Sequence, residues 1–167
     1  MDVTIIPLNE IYCDTVAALE VTCFGADAWP REAFTALLET YKENPDFRGQ
    51  VWVAIGEHGQ VVLGYVVLEV SSLGEAELSN LAVAPAFRRQ GVGRLLTSFV
   101  VNICQEIGVS LLWLRVRASN TRAVKFYETC GFAVRGEFRD YYKNPEEDAL
   151  IMALELPEEA DGEGGEG

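Results

Sequence analysis

Residues 88–96, RRQGVGRLL, constrain the fold more than any other segment of the chain. They follow the strand-like run LSNLAVAP at 78–85 and lead into apolar residues that recur at helical spacing from Leu95 to Ile107. Glycines at a helix start leave backbone amides free to approach an anion, and the arginines beside them add positive charge. A strand, a glycine turn and a helix in this order predict an α/β domain that binds a phosphate or pyrophosphate.

The turn lacks the features of two common nucleotide-binding loops. No Lys-Ser/Thr pair follows the glycines, as a phosphate loop requires, and no third glycine completes a dinucleotide-binding fingerprint. ATP hydrolysis and a dinucleotide fold are therefore disfavoured. From these residues alone, a tight turn with solvent-facing arginines stays an alternative to the anion site.

The remaining patterns predict one domain that mixes antiparallel and parallel strands. Strand patterns occur in VTIIPL, QVWVAIG, VVLGYVVLEV, SLLWLRVRA, FAVRGEFRDYY and DALIMALEL, and EHGQ between the second and third is a hairpin signal. Helical patterns cover 9–22, 30–41 and NTRAVKFYETC, with Gly108 and Gly131 each ending a helix. The β–α–β–α–β order of the second half predicts parallel strands there.

The charge of the chain is concentrated at its end. The formal net charge is −13, and residues 155–167 hold six acids without a base. Without that stretch, 20 acids face 13 bases, a net charge of about −7. We expect a domain at 1–156 and an acidic Gly/Glu-rich disordered tail at 157–167. An acidic surface disfavours nucleic acid and suits a cationic partner.

No feature of the sequence indicates export, a membrane span or a metal site. The four cysteines are scattered without a C-x-x-C pair, and His58 is the only histidine. The N-terminal MDVTIIPLNE lacks the pattern of a signal peptide, and no run approaches ~18 apolar residues. We therefore expect a cytoplasmic protein without disulfides, membrane contact or metal.

Several segments resemble the GNAT superfamily of N-acetyltransferases. R-x-x-G-x-G at 88–93, after a strand and before an amphipathic helix, is similar to the coenzyme A signature of that superfamily. The segments 20–34, 112–132 and 140–154 resemble its RimI-type branch, the ribosomal-protein-alanine N-acetyltransferases. The resemblance covers nearly the whole chain except the acidic tail. It implies the GNAT fold, an α/β (α+β) arrangement with a mixed, mostly antiparallel twisted sheet of about seven strands and about four helices.

The resemblance also implies which residues bind acetyl-CoA, the acetyl donor. The amides of the glycine turn would hold its pyrophosphate, and the backbone of the preceding strand would pair with its pantetheine arm. The cofactor-binding residues expected on this basis are Leu81, Ala82, Val83, Arg88, Arg89, Gln90, Gly91, Val92, Gly93, Arg94, Asn120 and Tyr127. We expect the cofactor in the splay between two parallel central strands.

Tyr127 is expected to act as the general acid. In the family the tyrosine at this position protonates the departing thiolate, and a phenol of pKa about 10 can donate to a thiolate of pKa about 8.5. Asn120 lies seven residues earlier, so both residues share one face of the predicted helix, roughly 10 Å apart. A helix cap at Asn120 and core packing of Tyr127 are the alternatives that the local sequence leaves open.

Two aromatic segments are expected to bind the acceptor. The resemblance places Phe24 and Trp29, together with Glu20, in the loop between the first two helices. It places Tyr141 and Tyr142 just before the final loop, which closes over the substrate N-terminus. For the two tyrosines, packing as strand-end aromatics on the surface is the alternative.

The sequence departs from the RimI-type pattern at the general base. The family usually carries a glutamate where this chain has Arg115, which cannot accept a proton. Glu77 on the preceding strand is a replacement candidate, with a solvent-facing strand residue as the alternative. An α-amine of pKa about 7.7–8.0 costs only about 1–1.4 kcal/mol to deprotonate at pH 7, against over ~4 kcal/mol for a lysine. An N-terminal acetyltransferase therefore tolerates a missing base better than a lysine acetyltransferase does.

The predicted function is acetyl transfer from acetyl-CoA to a protein N-terminal α-amine by direct attack. The resemblance indicates the N-terminal alanine of a small-subunit ribosomal protein, and the charge balance favours a basic N-terminus. One alternative is a lysine or small-molecule amine acetyltransferase. Another is a non-catalytic acyl-CoA-binding sensor or assembly protein, because Arg115 replaces the usual base.

Overall fold

The computed structural model describes residues 2–44, 49–71 and 73–157. Most of the predicted acidic tail lies outside them. One sheet contains seven strands, which are Thr4–Pro7 (β1), Gly49–Ile55 (β2), Val62–Val70 (β3), Glu75–Val83 (β4), Leu111–Arg117 (β5), Ala133–Tyr142 (β6) and Glu147–Glu155 (β7). Their spatial order is β1-β2-β3-β4-β5-β7-β6, and within these strands every pairing is antiparallel except that of β4 with β5. The predicted mixed, mostly antiparallel sheet is confirmed.

In the described residues four α-helices flank the sheet, and they are Glu10–Phe24 (α1), Arg31–Glu43 (α2), Val92–Glu106 (α3) and Thr121–Thr129 (α4). The predicted helices are confirmed, with α1 extending two residues beyond its predicted end. Asn120 caps α4 because its side-chain oxygen accepts from the Ala123 amide at 3.2 Å. Gly108 and Gly131 follow the ends of α3 and α4 with positive φ angles, as predicted. None of the helices in the described ranges is both long and apolar enough to span a membrane.

The alternation of side chains along the strands produces two hydrophobic cores. Residues on one face, such as Leu112, Leu114 and Met152, pack with α3 and α4. Residues on the other face, such as Tyr65 and Val67, pack with α1 and α2. α2 contacts β2, while α1 contacts β3 and β4. The helix layers therefore hold the central strands from both sides.

β4 and β5 pair over a short distance and then separate. Their parallel ladder joins only Glu75–Glu77 to Leu111–Trp113, although both strands continue beyond it. A bulge opposite Val67 and Leu68 of β3 makes Ser79 an extra residue in β4. Beyond the ladder a cleft of about 1200 Å³ opens between the two strands. The predicted splay between parallel central strands is confirmed.

Candidate active site

Nearly all the site residues that the sequence predicts line the splay cleft. Its lining includes Phe24 and Trp29 at one end, the β4 residues from Glu77 to Val83, and the turn before α3. Asn120 and Tyr127 of α4 and the tyrosines at the end of β6 complete it. Gln90 is the exception, since it is exposed outside the lining and its amide donates to the Ala86 carbonyl at 3.4 Å.

The two positions in the turn are glycines for different physical reasons. Gly91 caps α3 with φ +86°, and a Cβ atom there would meet nothing within 4 Å, so its backbone faces open space in the cleft. A Cβ atom on Gly93 would lie 3.2 Å from the Phe126 ring. Gly93 therefore permits close packing of α3 against α4, a role that the sequence did not predict. The start of α3 has no side-chain cap, which leaves its first amides available to an anion.

Two of the arginines beside the turn are held by the protein. Arg88 donates from Nε to the Val83 carbonyl at 3.1 Å and from Nη2 to the Cys23 sulfur at 3.3 Å. Arg94 donates to the Thr129 hydroxyl at 3.0 Å. The Arg88 side chain thus fixes the turn against the end of β4, and its contact with the cofactor stays a prediction.

Tyr127 is a buried phenol at the wall of the cleft. It is 8% exposed and packs edge-on against Phe126 and Phe132. Burial raises the pKa of its hydroxyl, which is therefore protonated at neutral pH. Within the described residues its hydroxyl makes no hydrogen bond, although buried hydroxyls usually have a partner. The arrangement suits a proton donor that faces a ligand.

Glu77 and Arg115 form an ion pair at the point where β4 and β5 begin to separate. Arg115 donates from Nε at 3.0 Å and from Nη2 at 2.8 Å to the same oxygen of Glu77, and its guanidinium stacks on Trp113 and Tyr141. Burial raises the pKa of Glu77, and this effect outweighs the lowering by Arg115. The arginine at the family's base position thus contacts the carboxylate that the sequence suggested as its replacement.

Glu20 has a fully buried carboxylate at the acceptor end of the cleft. It accepts hydrogen bonds from the Tyr65 hydroxyl, from the Asn80 amide at 2.7 and 2.9 Å, and from the Trp29 backbone amide at 2.8 Å. These bonds satisfy the carboxylate and join α1 to β3 and β4. The resemblance placed Glu20 on this wall, but Tyr65 and Asn80 were missed because they lie far away in sequence.

The aromatic residues expected at the acceptor lie beside or in two connections, the one between α1 and α2 and the one between β6 and β7. Trp29 packs on Phe34 in the connection between α1 and α2. Tyr142, at the end of β6, stacks on the guanidinium of Arg117 at 4.5 Å. Burial raises the pKa of the Tyr142 hydroxyl to about 12. Tyr141 is 43% exposed and covers Arg115. Sequence reasoning did not single out Arg117, whose apolar neighbours in β5 carry no signal of a site.

Most of the cleft lies in a segment that matches a known family. The model of the Acetyltransferase (GNAT) family matches residues 13–132, which include the glycine turn, the splayed strand and Tyr127. This chain belongs to the GNAT family of acetyltransferases. The predicted family is therefore confirmed. In the described residues of this GNAT domain, no group of three or more His, Cys, Asp or Glu side chains is arranged to hold a metal ion.

Relatives of this GNAT domain share one name. The ribosomal protein bS18-alanine N-acetyltransferase of Escherichia coli K12 is 45% identical over 86 residues, which are 50% of this chain and 58% of that protein's length. A putative enzyme of the same name from Bacillus subtilis is 30% identical over 145 residues, 87% of this chain and 90% of its own. The crystal structure of the ribosomal-protein-S18-alanine N-acetyltransferase from Escherichia coli superposes with a TM-score of 0.75 at 30% identity, covering 96% of this chain and 97% of that one. The predicted likeness to the RimI-type branch is confirmed.

Proposed function

We propose that this GNAT protein transfers the acetyl group of acetyl-CoA to the N-terminal α-amine of a protein, with the N-terminal alanine of a small-subunit ribosomal protein as acceptor. The observation that carries the proposal is the buried Tyr127 phenol, which lines the splay cleft and whose hydroxyl has no hydrogen-bond partner among the described residues. A ribosomal acceptor places the protein in the cytoplasm. We assign the activity to a domain at 1–156 and regard 157–167 as a separate tail.

The cleft fits acetyl-CoA on three features of this chain. Among the described residues, the β4 backbone at Leu81, Ala82 and Val83 has no strand partner on its splayed side. Apart from the Val83 carbonyl, which accepts from Arg88, it can therefore pair with an extended amide chain. The uncapped start of α3 offers amides to a pyrophosphate, with Arg89 and Arg94 nearby. When bound, acetyl-CoA supplies an activated thioester.

Two residues of the chain then carry out one proton transfer each. Tyr127 donates its proton to the sulfur as the thiol group departs, because burial keeps the phenol protonated. Glu77 accepts the proton of the attacking amine, directly or through one water molecule. Its raised pKa makes this carboxylate a stronger base, and Arg115 holds one of its oxygens in place.

An α-amine acceptor agrees with the absence of the usual glutamate base, whose position Arg115 occupies. At pH 7 roughly a tenth of α-amines are neutral, so the base has little free energy to supply. A lysine acceptor would need over ~4 kcal/mol. The acidic balance of the chain also favours a basic peptide as acceptor.

A peptide panel tests the proposal. We expect acetylation, measured as free thiol release, with peptides that begin with alanine and carry arginines or lysines shortly after it. A peptide with a blocked α-amine and free lysines should give no product. Equal acetylation of the blocked peptide would establish the lysine or small-amine alternative. Intact acetyl-CoA binding without any release would instead favour a sensor, which Arg115 at the usual base position makes the second candidate.

A further inference from the structure

Arg117 uses its whole hydrogen-bonding capacity at the acceptor end of the cleft. A guanidinium has five N–H groups, and here each one has an acceptor in the protein. The acceptors are Asp27 Oδ2 at 2.7 Å and Oδ1 at 2.9 Å, Glu147 Oε1 at 3.1 Å, and the carbonyls of Pro145 at 2.9 Å and Lys143 at 3.0 Å. The side chain is only 17% exposed, so solvent competes little for these bonds.

These hydrogen-bond acceptors lie in or at the end of the α1–α2 and β6–β7 connections, which adjoin the expected acceptor-binding aromatics. Asp27 lies in the connection between α1 and α2, between Phe24 and Trp29. Lys143, Pro145 and Glu147 follow Tyr142, which itself stacks on the Arg117 guanidinium. The two loops are distant in sequence, and Asp27 lies 90 residues from Arg117. One side chain on β5 therefore joins both walls of the cleft mouth.

The same cluster extends toward the proposed acid. The second carboxylate oxygen of Glu147 accepts from the Ser119 amide, directly before the cap of α4 at Asn120. α4 carries Tyr127. Arg117 is thus connected to both acceptor walls and, through Glu147, to the start of the helix that bears Tyr127.

We propose that Arg117 is a positioning residue that holds the α1–α2 and β6–β7 connections at the spacing needed to bind the acceptor's N-terminus. The inference rests on the proposed function, because it takes these connections as the acceptor walls. It assigns acceptor affinity, and not acetyl-CoA affinity, to this side chain. The planar fork is required because a lysine offers three donors from one point and cannot bind Asp27 in two places.

Kinetics of Arg117→Ala, Arg117→Lys and Asp27→Asn test the proposal. We expect the KM for the acceptor peptide to rise about tenfold or more in each, since misplaced binding groups lose their alignment. The dissociation constant of acetyl-CoA should stay within about twofold. Arg31→Ala is the matched control, because it removes an exposed ion pair with Asp14 in the same α1–α2 region. An unchanged acceptor KM in a folded variant, or its recovery in Arg117→Lys, would overturn the proposal.

Hydrogen exchange separates this proposal from the assignment of the acceptor. Backbone amides in 25–30 and 141–147 should exchange faster in Arg117→Ala than in the parent protein and in Arg31→Ala. Faster exchange in only one segment, or in neither, would contradict a shared clamp. If no peptide α-amine is acetylated by the parent protein, the proposed function fails, while the exchange data still decide whether Arg117 holds both loops. Asp27→Asn provides the milder variant if Arg117→Ala does not fold.

Discussion

The proposed cofactor half and the proposed acceptor half of the cleft are built by different means. The proposed cofactor half is lined by residues of two short segments, 81–94 and 120–127, and includes the uncapped start of α3 at Gly91. The acceptor half consists of side chains from distant segments, joined by ion pairs around Arg115 and Arg117. A backbone cradle depends on few side chains, so it persists when the sequence changes. A side-chain network can be rearranged, and here the carboxylate lies on β4 as Glu77 while an arginine occupies the usual base position.

The largest effect expected in the cofactor half is that of Gly91→Asp. An aspartate at φ +86° would project a negative charge into the open space before α3, so we expect loss of measurable acetyl-CoA binding by calorimetry. Gly108→Asp is the control, because Gly108 has φ +81° and equally open surroundings at the other end of α3. Unchanged affinity in folded Gly91→Asp would remove the anion site. Gly93→Asp is a poorer test, since Phe126 would have to move.

The next-largest effect is expected at Tyr127, whose proposed role links the two halves. Tyr127→Phe should lower kcat by roughly 10²-fold, the usual scale for a positioned proton donor, and leave acetyl-CoA affinity within a few-fold. Removal of the hydroxyl leaves the packing on Phe126 and Phe132 in place. Tyr12→Phe controls for the loss of a hydroxyl, because among the described residues the Tyr12 hydroxyl bonds only the Gly59 carbonyl, outside the cleft. If kcat of Tyr127→Phe equals that of the parent protein, the role of Tyr127 is purely structural.

A smaller effect is expected in the acceptor half at Glu77. Glu77→Gln should lower kcat/KM about tenfold at pH 7, below the usual scale for a base, because an α-amine needs little assistance. The pH profile sharpens the test. Arg115 lowers the pKa of Glu77, so in Arg115→Gln that pKa rises further and the acid limb of kcat/KM should move to higher pH. If neither variant alters the acid limb, Glu77 does not carry the proton.

The smallest effect is a salt dependence of the acceptor half. For a basic peptide, kcat/KM should fall a few-fold between low and physiological salt, because charges are screened beyond about 8 Å at the higher ionic strength. A neutral peptide with the same first residue is the control and should show no dependence. Rates that respond equally for both peptides would show that long-range attraction does not select the acceptor.

Local features of the sequence predicted the helices, the strands and the glycine turn well. The cap at Asn120, the helix ends at Gly108 and Gly131, and the strand before the glycine turn all depend on a few neighbouring residues. Periodicity predicted the α3 helix from the apolar residues between Leu95 and Ile107. It could not place β7 between β5 and β6, because that order depends on pairing between strands rather than on any pattern within one.

The sequence alone determined the family, the order of elements and the turn before α3, since backbone conformation and helix starts follow from residues within one or two turns of each other. The tertiary structure decided why Gly93 is a glycine, where the Glu20 carboxylate finds its donors, and how Arg117 meets Asp27 and Glu147. Glu20 and Asn80 lie 60 positions apart in the sequence, and Arg117 and Asp27 lie 90 positions apart. These contacts exist only after strand register brings β4, β5 and β7 together, and no short-range pattern encodes that register.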